Sequence, residues 1–473
     1  MIGRTEELTQ LNNLCELSES SLMVIHGRRR IGKTYLVDFM FEEHRKDCMF
    51  FGFSGAYEVN SKTQIKNFIE AVYDWFKIEP SKEIADWTDA FNFLKRTIDA
   101  EVTHKEHMGK VSLFFDEVPW IDKSNKDGFL SALGHFWNTY CQKQKRFVLI
   151  LCGSNASWIK NKILKDSNGP LHNRVTHQIA MKPFDLQETK KYLIEEKGFD
   201  LDSKKILETY MVFGGVAKYL SYLDPLKTIE ENIDALYFNI NGLMYGEYDE
   251  VFKSLFEDKA GVHKAVIDYM STKNSGYTIK EVSSGTGIKV GTKLTSIIDE
   301  LVMCGFISGI GKYGNVKKDT KYIINDPHSI FHNKWVKQFS KNEIANLKKH
   351  YWSDISLSQK YAIWAGFMFE TIAIINLPHY LKARGIQGVV KGASYWSYID
   401  TTNSAKGAQI DIVVEYGNGI YDIVECKYYN DEYVITAEYA KKLKNKLKQF
   451  LCSWIKWKNK KRVKTCNAKS LWM

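Results

Sequence analysis

Short, unbroken apolar runs alternate along the chain with longer segments in which apolar side chains recur every three or four positions. The runs SLMVIH (21–26), VSLFF (111–115) and RFVLILCG (146–153) are too continuous for strands with one wet face. They read as buried strands of a parallel sheet covered by helices on both sides. Between residues 181 and 255, LQETKKYLIEE and KKILETYMVF carry apolar positions at helical spacing. Next come HKAVIDYMST, then TIKEVSSGTG opened by Thr278 as a helix cap, then VGTKLTSIIDELVMCG closed by Gly305. FISGIGKYGNVKKDTKYIIND alternates like two strands around a turn at Gly311 to Asn315. From about residue 330 the chain becomes aromatic. AQIDIVVEYGNGIYDIVECKYYN then predicts two more strands joined by a turn at Gly417 to Gly419.

Composition narrows the class. With 473 residues the chain predicts several domains, and 44% hydrophobic against 26% charged residues is ordinary for globular protein. No apolar run reaches the length of a membrane helix. The opening MIGRTEELTQ lacks the basic-then-apolar order of a secretory signal, so a cytoplasmic location is expected. Eight scattered cysteines (15, 48, 141, 152, 304, 426, 452 and 466), with no Cys-x-x-Cys pair, predict free thiols rather than a zinc or redox centre. The net charge of +10 is localised. Residues 441–473 hold twelve Lys or Arg and no Asp or Glu, which leaves −2 on the preceding 440. Such an end could track phosphates, or it could be the solvated face of a terminal helix, since Leu443, Leu447, Leu451 and Trp454 recur at helical spacing.

GRRRIGKT (27–34) follows the first apolar run and precedes a helical segment, the context that a G-x-x-x-x-G-K-[ST] loop requires. Gly27 and Gly32 let the backbone curl so that N–H groups of Arg28, Arg29, Arg30, Ile31 and their neighbours face phosphate oxygens. Lys33 is expected to reach the β and γ phosphates of ATP, and the Thr34 hydroxyl to coordinate Mg²⁺. Asp116 and Glu117 end the second apolar run at the edge where open α/β sheets meet ligands. Asp116 suits the Mg²⁺ shell and Glu117 suits activation of water. Ser154 and Asn155 end the third run, where one of them would sense the γ-phosphate. Arg174 either supplies positive charge to the transition state, in cis or from a neighbouring subunit, or is a surface arginine. His26 and His172, near these motifs, read as structural donors.

IGRTEEL, GRRRIGKT, LFFDEVPW, CGSNASW, LHNRVT…PFDL and FGGVAKYL occur in the order seen in the archaeal-type ATPases of the AAA+/STAND grouping, which the chain resembles over most of its length. The resemblance implies an α/β fold: a P-loop core with a parallel sheet (1–180), a helical lid (181–255), a winged helix (256–330) and an α/β restriction-endonuclease-like domain (331–473). It also implies that Gly3 and Arg4 lie by the adenine and that the segment after Phe213 belongs to the lid, although Ala217 stands where the family often has proline.

Three helices and a hairpin make a winged helix, whose third helix enters the major groove in DNA-binding examples. Lys289, Lys293, Lys312, Lys317 and Lys318 would contact DNA. The alternative is a packing module, since the third helix also carries Asp299 and Glu300. In the last module, period two places Glu425 and Lys427 on one face, and hairpin pairing can bring Asp411 beside them. This resembles the PD-(D/E)xK nuclease pattern, with Glu370 as the additional acid and Gln409 where relatives often carry one. Asp411, Glu425 and Glu370 would hold a divalent metal, and Lys427 would position the attacking water. The segment after KKLKNKLKQF has weak alternation and is expected to leave the last sheet unfinished. Together these features predict a Mg²⁺-dependent ATPase acting on or with DNA, with a homo-oligomer as its expected assembly. The competing expectation is a signalling switch whose terminal module is an inactive binding platform.

Overall fold

The structure is a computed structural model that describes residues 1–104, 109–122, 128–273, 275–313, 320–398, 407–417, 420–429, 432–458 and 469–471. The chain forms two compact units, Met1–Phe184 with Gly215–Tyr222, and Asp185–Gly214 with Leu223–Met473.

The first unit is built on five parallel strands, β1 (Ser21–His26), β2 (Met49–Ser54), β3 (Val111–Asp116), β4 (Phe147–Gly153) and β5 (His177–Ala180), in the order β2-β3-β4-β1-β5. All positions of β3 and β4 are buried, as their unbroken apolar runs require. Helices α1 (Thr5–Glu16), α2 (Lys33–Asp38), α3 (Ser61–Phe76) and α4 (Trp87–His104) belong to this unit. Phe68 on α3 is a hub of its core, with ring centroids 5.2 Å from Phe53, 5.5 Å from Trp87 and 5.7 Å from Phe91. Strand β4 separates β1 from β3. Pairing of His26 with Gly153, and of Phe115 with Leu151, brings the ends of all three strands to one edge. That edge is a crevice of the kind that receives ligands in open α/β sheets.

The second unit begins with helices at Leu186–Lys191, Ser203–Phe213, Ile229–Tyr237 and Glu247–Phe256. Three more follow, Ala260–Met270, Ile279–Thr286 and Thr292–Met303, and then an antiparallel pair, β6 (Ile307–Ile310) and β7 (Lys321–Ile324). Thr278 caps its helix in a reciprocal box with Glu281, and Gly305 closes the third helix at φ +76°. Glu300 does not face outward with Asp299. Its carboxylate lies 2.8 Å from Nε2 of the buried His263.

The remaining sheet has the order β11-β10-β9-β8, from β8 (Val390–Tyr398), β9 (Ala408–Tyr416), β10 (Tyr421–Val424) and β11 (Lys469–Leu471). A register shift against β8, between the pairs Ser394–Val413 and Trp396–Ile410, switches the face of β9 and divides its side chains between two cores. Ile410 and Val413 join Trp396, Tyr421 and Phe450. Ile412, Val414 and Tyr416 join Val424, Cys426 and Ala373, the last on the helix Gln359–Ile375. Phe450, 1% exposed, is on the helix Ala437–Lys458, so the basic end is folded at least that far. Lys441, Lys442, Lys444 and Lys448 are exposed on that helix, as a solvated face requires. The expectation of an unfinished last sheet is corrected, because β11 pairs in parallel with β10 and supplies a fourth strand. The period of the sequence missed it because three residues are too few to show alternation. Among the described residues no single helix is long and apolar enough to cross a membrane.

Candidate functional site

The loop after β1 is shaped by two close approaches. A Cβ on Gly27 would lie 2.3 Å from the carbonyl oxygen of Met181, whose own N–H donates to the His26 carbonyl at 2.8 Å. Gly32 adopts φ +89° and caps α2, a left-handed conformation that side chains resist. Lys33 is 6% exposed, and its Nζ donates to the Arg28 carbonyl at 2.9 Å, closing the loop on itself. The exposed Thr34 donates its hydroxyl proton to Oδ2 of Asp116 at 2.5 Å. The structure therefore joins the end of β3 to the start of α2 at the two residues expected to share a Mg²⁺ ion.

Asp116 Oδ1 accepts from the Glu117 N–H at 2.8 Å, and Glu117 itself adopts φ +45°. Its Oε2 accepts from the backbone N–H of Ser154 at 3.1 Å and from the Ser154 hydroxyl at 2.8 Å. Ser154 is thus the polar group at the end of β4 that meets the acid pair. Asn155 instead caps the next helical turn, accepting from the Trp158 N–H at 2.9 Å. Asp38, one helical turn beyond Thr34, was not singled out by the sequence. Burial, followed by the charges of Glu42 and Asp116, pushes its carboxyl up to about 6. Burial and then Lys160 and Lys33 hold the His26 imidazole below its ordinary range, so it is neutral at pH 7 and suits a structural role.

The buried Arg4 also acts on the loop. Its guanidinium donates to the Ile31 carbonyl at 3.2 Å and to Glu7 at 3.4 Å, and lies 4.7 Å from the centroid of the Phe184 ring. Arg29 lies over Trp120, and Arg30 donates to the Tyr222 hydroxyl at 3.1 Å. The segment after Gly215 touches the loop directly, through the Lys218 N–H to the Arg30 carbonyl at 3.1 Å. It counts with the first unit. A Cβ on Gly215 would sit 1.7 Å from the Phe184 carbonyl oxygen, so only glycine allows this crossing.

Arg174 is not brought to this edge. Thr176 pairs with Leu22 near the start of β1, and Arg174 precedes it by two residues. Leu22 and Gly27 are separated by five residues of extended chain, roughly 16 Å at the usual strand rise. The exposed Arg174 and His172 therefore lie toward the end of the sheet opposite the loop.

A second constellation forms within the second unit. Register pairs Val424 with Ile412, which puts Glu425 opposite Asp411 just past the last paired residue, and the Cys426 N–H donates to Asp411 Oδ2 at 2.9 Å. Glu425 Oε1 accepts from Lys427 at 3.2 Å, Tyr439 at 3.1 Å and Lys446 at 2.6 Å. Lys446 and Tyr439, on the helix Ala437–Lys458, were missed by sequence reasoning. Their only signal is a seven-residue separation that puts them on one helix face. Burial, then Asp411 and Glu425, pushes the Glu370 carboxyl up to about 7, and burial with Glu425 raises Asp411. Burial pulls the Lys427 ammonium down, but the charge and hydrogen bond of Glu425 outweigh it, and Lys427 is held above its ordinary value. The charges of Glu370, Asp411, Glu425 and Lys427 thus act on one another. Yet among the described residues no three His, Cys, Asp or Glu side chains converge closely enough to hold a metal ion. Of the lysines expected on DNA, Lys289 and Lys293 are exposed and Lys312 is half-buried, while Lys317 and Lys318 lie outside the described residues.

A parallel sheet, a glycine-curled loop closed by Lys33, and a Thr34–Asp116–Glu117 edge define the first unit as a P-loop nucleoside-triphosphatase fold. Comparison with known proteins makes this more particular. Residues 1–223 match the family model of an ATPase domain predominantly from Archaea. An uncharacterised protein of Methanocaldococcus jannaschii is 25% identical over 378 residues, covering 79% of this chain and 76% of that protein. A Walker-type ATPase of Pyrococcus abyssi has a similar solved fold, with TM-score 0.51 at 18% identity over 71% of this chain and 96% of that one. The ORC2 protein of Aeropyrum pernix, solved in ADPNP-ADP complexes, aligns with TM-score 0.41 at 15% identity over 75% of this chain and 95% of that one.

Proposed function

We propose that the protein is a Mg²⁺-dependent ATPase of the cytoplasm whose nucleotide cycle controls the action of its second unit on DNA. The observation that carries this reading is the Thr34–Asp116–Glu117–Ser154 chain of hydrogen bonds at the end of the phosphate loop. Magnesium, when bound with ATP, would neutralise phosphate charge beside Thr34 and Asp116. The chain's own residues do the rest. Backbone N–H groups from Gly27 to Thr34 cradle the phosphates, Lys33 gives up the Arg28 carbonyl for a phosphate oxygen, and Glu117 orients water and takes its proton. Arg174, exposed toward the end of the sheet away from its own loop, completes the site of a second copy of the chain, so full turnover requires a homo-oligomer.

In the second unit the three helices and hairpin act as a winged helix, with Lys289 and Lys293 exposed at the start of its third helix. The cluster of Glu370, Asp411, Glu425 and Lys427 resembles a nuclease centre. A second reading is favoured by one observation: Lys427, Lys446 and Tyr439 all engage Glu425, and Gln409 replaces an acid, an arrangement that competes with a cation. In that reading the ATPase is a signalling switch and the module binds without cutting. Incubating the full-length protein with linear and supercoiled DNA, ATP and Mg²⁺ or Mn²⁺ tests the choice. Cleavage lost in Asp411→Asn and Lys427→Ala supports the nuclease. Equal cleavage by wild type and both variants, or none by any, refutes it and leaves the switch.

A further inference from the structure

Beside the carboxylate cluster lies a groove of about 670 Å³ within the second unit, a volume typical of ligand sites. Glu370, a member of that cluster, and Gln409 are among its lining residues. Its walls bring together Lys273, Lys334 and Lys360 from three separate segments, against the single carboxylate of Glu370. Lys334 and Lys360 are exposed. The Lys360 ammonium lies 4.9 Å from the centroid of the Trp335 ring, while Lys273 is 3.2 Å from Glu281. The floor is apolar. Ile363 and Phe367, four residues apart on one face of the helix Gln359–Ile375, are 56% and 46% exposed. Trp364, 5% exposed behind them, packs edge-on against Trp335 at 5.9 Å and fixes that helix.

We propose that this groove is a track for single-stranded nucleic acid, with Phe367 stacking a base, Ile363 packing beside it, and Lys334, Lys360 and Lys273 holding the phosphates. Ammonium groups flanking an open aromatic and aliphatic floor are the two elements by which single strands are held without regard to sequence. A duplex keeps its base faces stacked inward, so it could meet the lysines but not the floor. An acidic peptide would also satisfy the lysines, but it would leave the exposed Phe367 ring without a flat partner. The proposal deepens the reading of the neighbouring cluster as a nucleic-acid site and rests on it, since Glu370 belongs to both.

Anisotropy of a fluorescent oligothymidylate with the full-length protein, in EDTA so that cleavage plays no part, tests the track. Phe367→Ala should weaken binding by about five- to a hundredfold, the usual range for losing one stacked base. Lys334→Ala with Lys360→Ala should weaken it further and lower the slope against log salt by about 1.4. Unchanged affinity in the groove variants, or equal competition by a duplex or by an acidic peptide, overturns the proposal. Groove-dependent binding without cleavage by the wild type under Mg²⁺ sinks the nuclease reading and leaves the track standing. Cleavage by groove variants of unchanged affinity does the reverse.

Discussion

Replacing Arg4 isolates a side chain that acts on the phosphate loop from behind. Its guanidinium is 3% exposed and makes a charged hydrogen bond to the Ile31 carbonyl, a face contact with Phe184 and a longer pairing with Glu7. A hydrogen bond involving a charged group contributes about 1.5–3 kcal/mol. The ring contact adds roughly 0.5–2 kcal/mol and the pairing with Glu7 less than about 1 kcal/mol. These contacts share one side chain and do not add fully, so Arg4→Ala should lower the unfolding free energy by about 2–4 kcal/mol. The Ile31 carbonyl then loses its anchor, and the loop must be ordered by the nucleotide itself. A cost near 1.4 kcal/mol would weaken ATP binding about tenfold. Arg4→Lys keeps the charge but loses the planar fork and should fall between the two. Urea unfolding followed by tryptophan fluorescence, with titration of a fluorescent ATP analogue, measures both effects. Unchanged stability and unchanged affinity would refute the bracing role. Unchanged stability with collapsed affinity would show that Arg4 touches the nucleotide, as the family resemblance implies, rather than the loop.

Other sites give sharper single outcomes. Gly215→Ala forces a Cβ to within 1.7 Å of the Phe184 carbonyl oxygen and should cost about 3 kcal/mol or more, read as a lowered melting temperature. Glu370 titrates at about 7 in the folded chain against an ordinary 4.5. Between those values the folded state keeps a proton that the unfolded state has lost. The unfolding free energy therefore falls as pH rises through this window, by at most about 3 kcal/mol and by less where solvent screens the carboxylate. Glu370→Gln should flatten that dependence, and an unaltered profile in denaturant titrations would contradict it. Arg174→Ala mixed with Lys33→Ala should regain turnover that neither variant has alone, because each copy lacks a different half of the shared site. No recovery on mixing would argue against donation between subunits.

The first unit was legible because its chemistry is local. The phosphate loop, the strand ending in Asp116 and Glu117, and the strand ending in Ser154 each occupy consecutive residues, and buried strands leave unmistakable apolar runs. What escaped were pairings across long separations. Arg4 meets Ile31 and Phe184 through a chain reversal, and Asp38 becomes notable only when α2 turns it toward Asp116. Lys446 sits in a run of lysines that reads as a solvated face, and only the packing of Phe450 shows which side of that helix turns inward. Arg174 shows the complementary case. Its neighbourhood in sequence suggested the site, whereas the parallel register of β5 on β1 sends it to the far end of the sheet.

Turnover and nucleotide affinity measured together for Glu117→Gln and Lys33→Ala test the central claim most directly. The account predicts that Glu117→Gln binds ATP within about threefold of the wild type while hydrolysis falls at least about a hundredfold. Lys33→Ala should lose the nucleotide itself. Wild-type hydrolysis by Glu117→Gln, or wild-type affinity in Lys33→Ala, would contradict it.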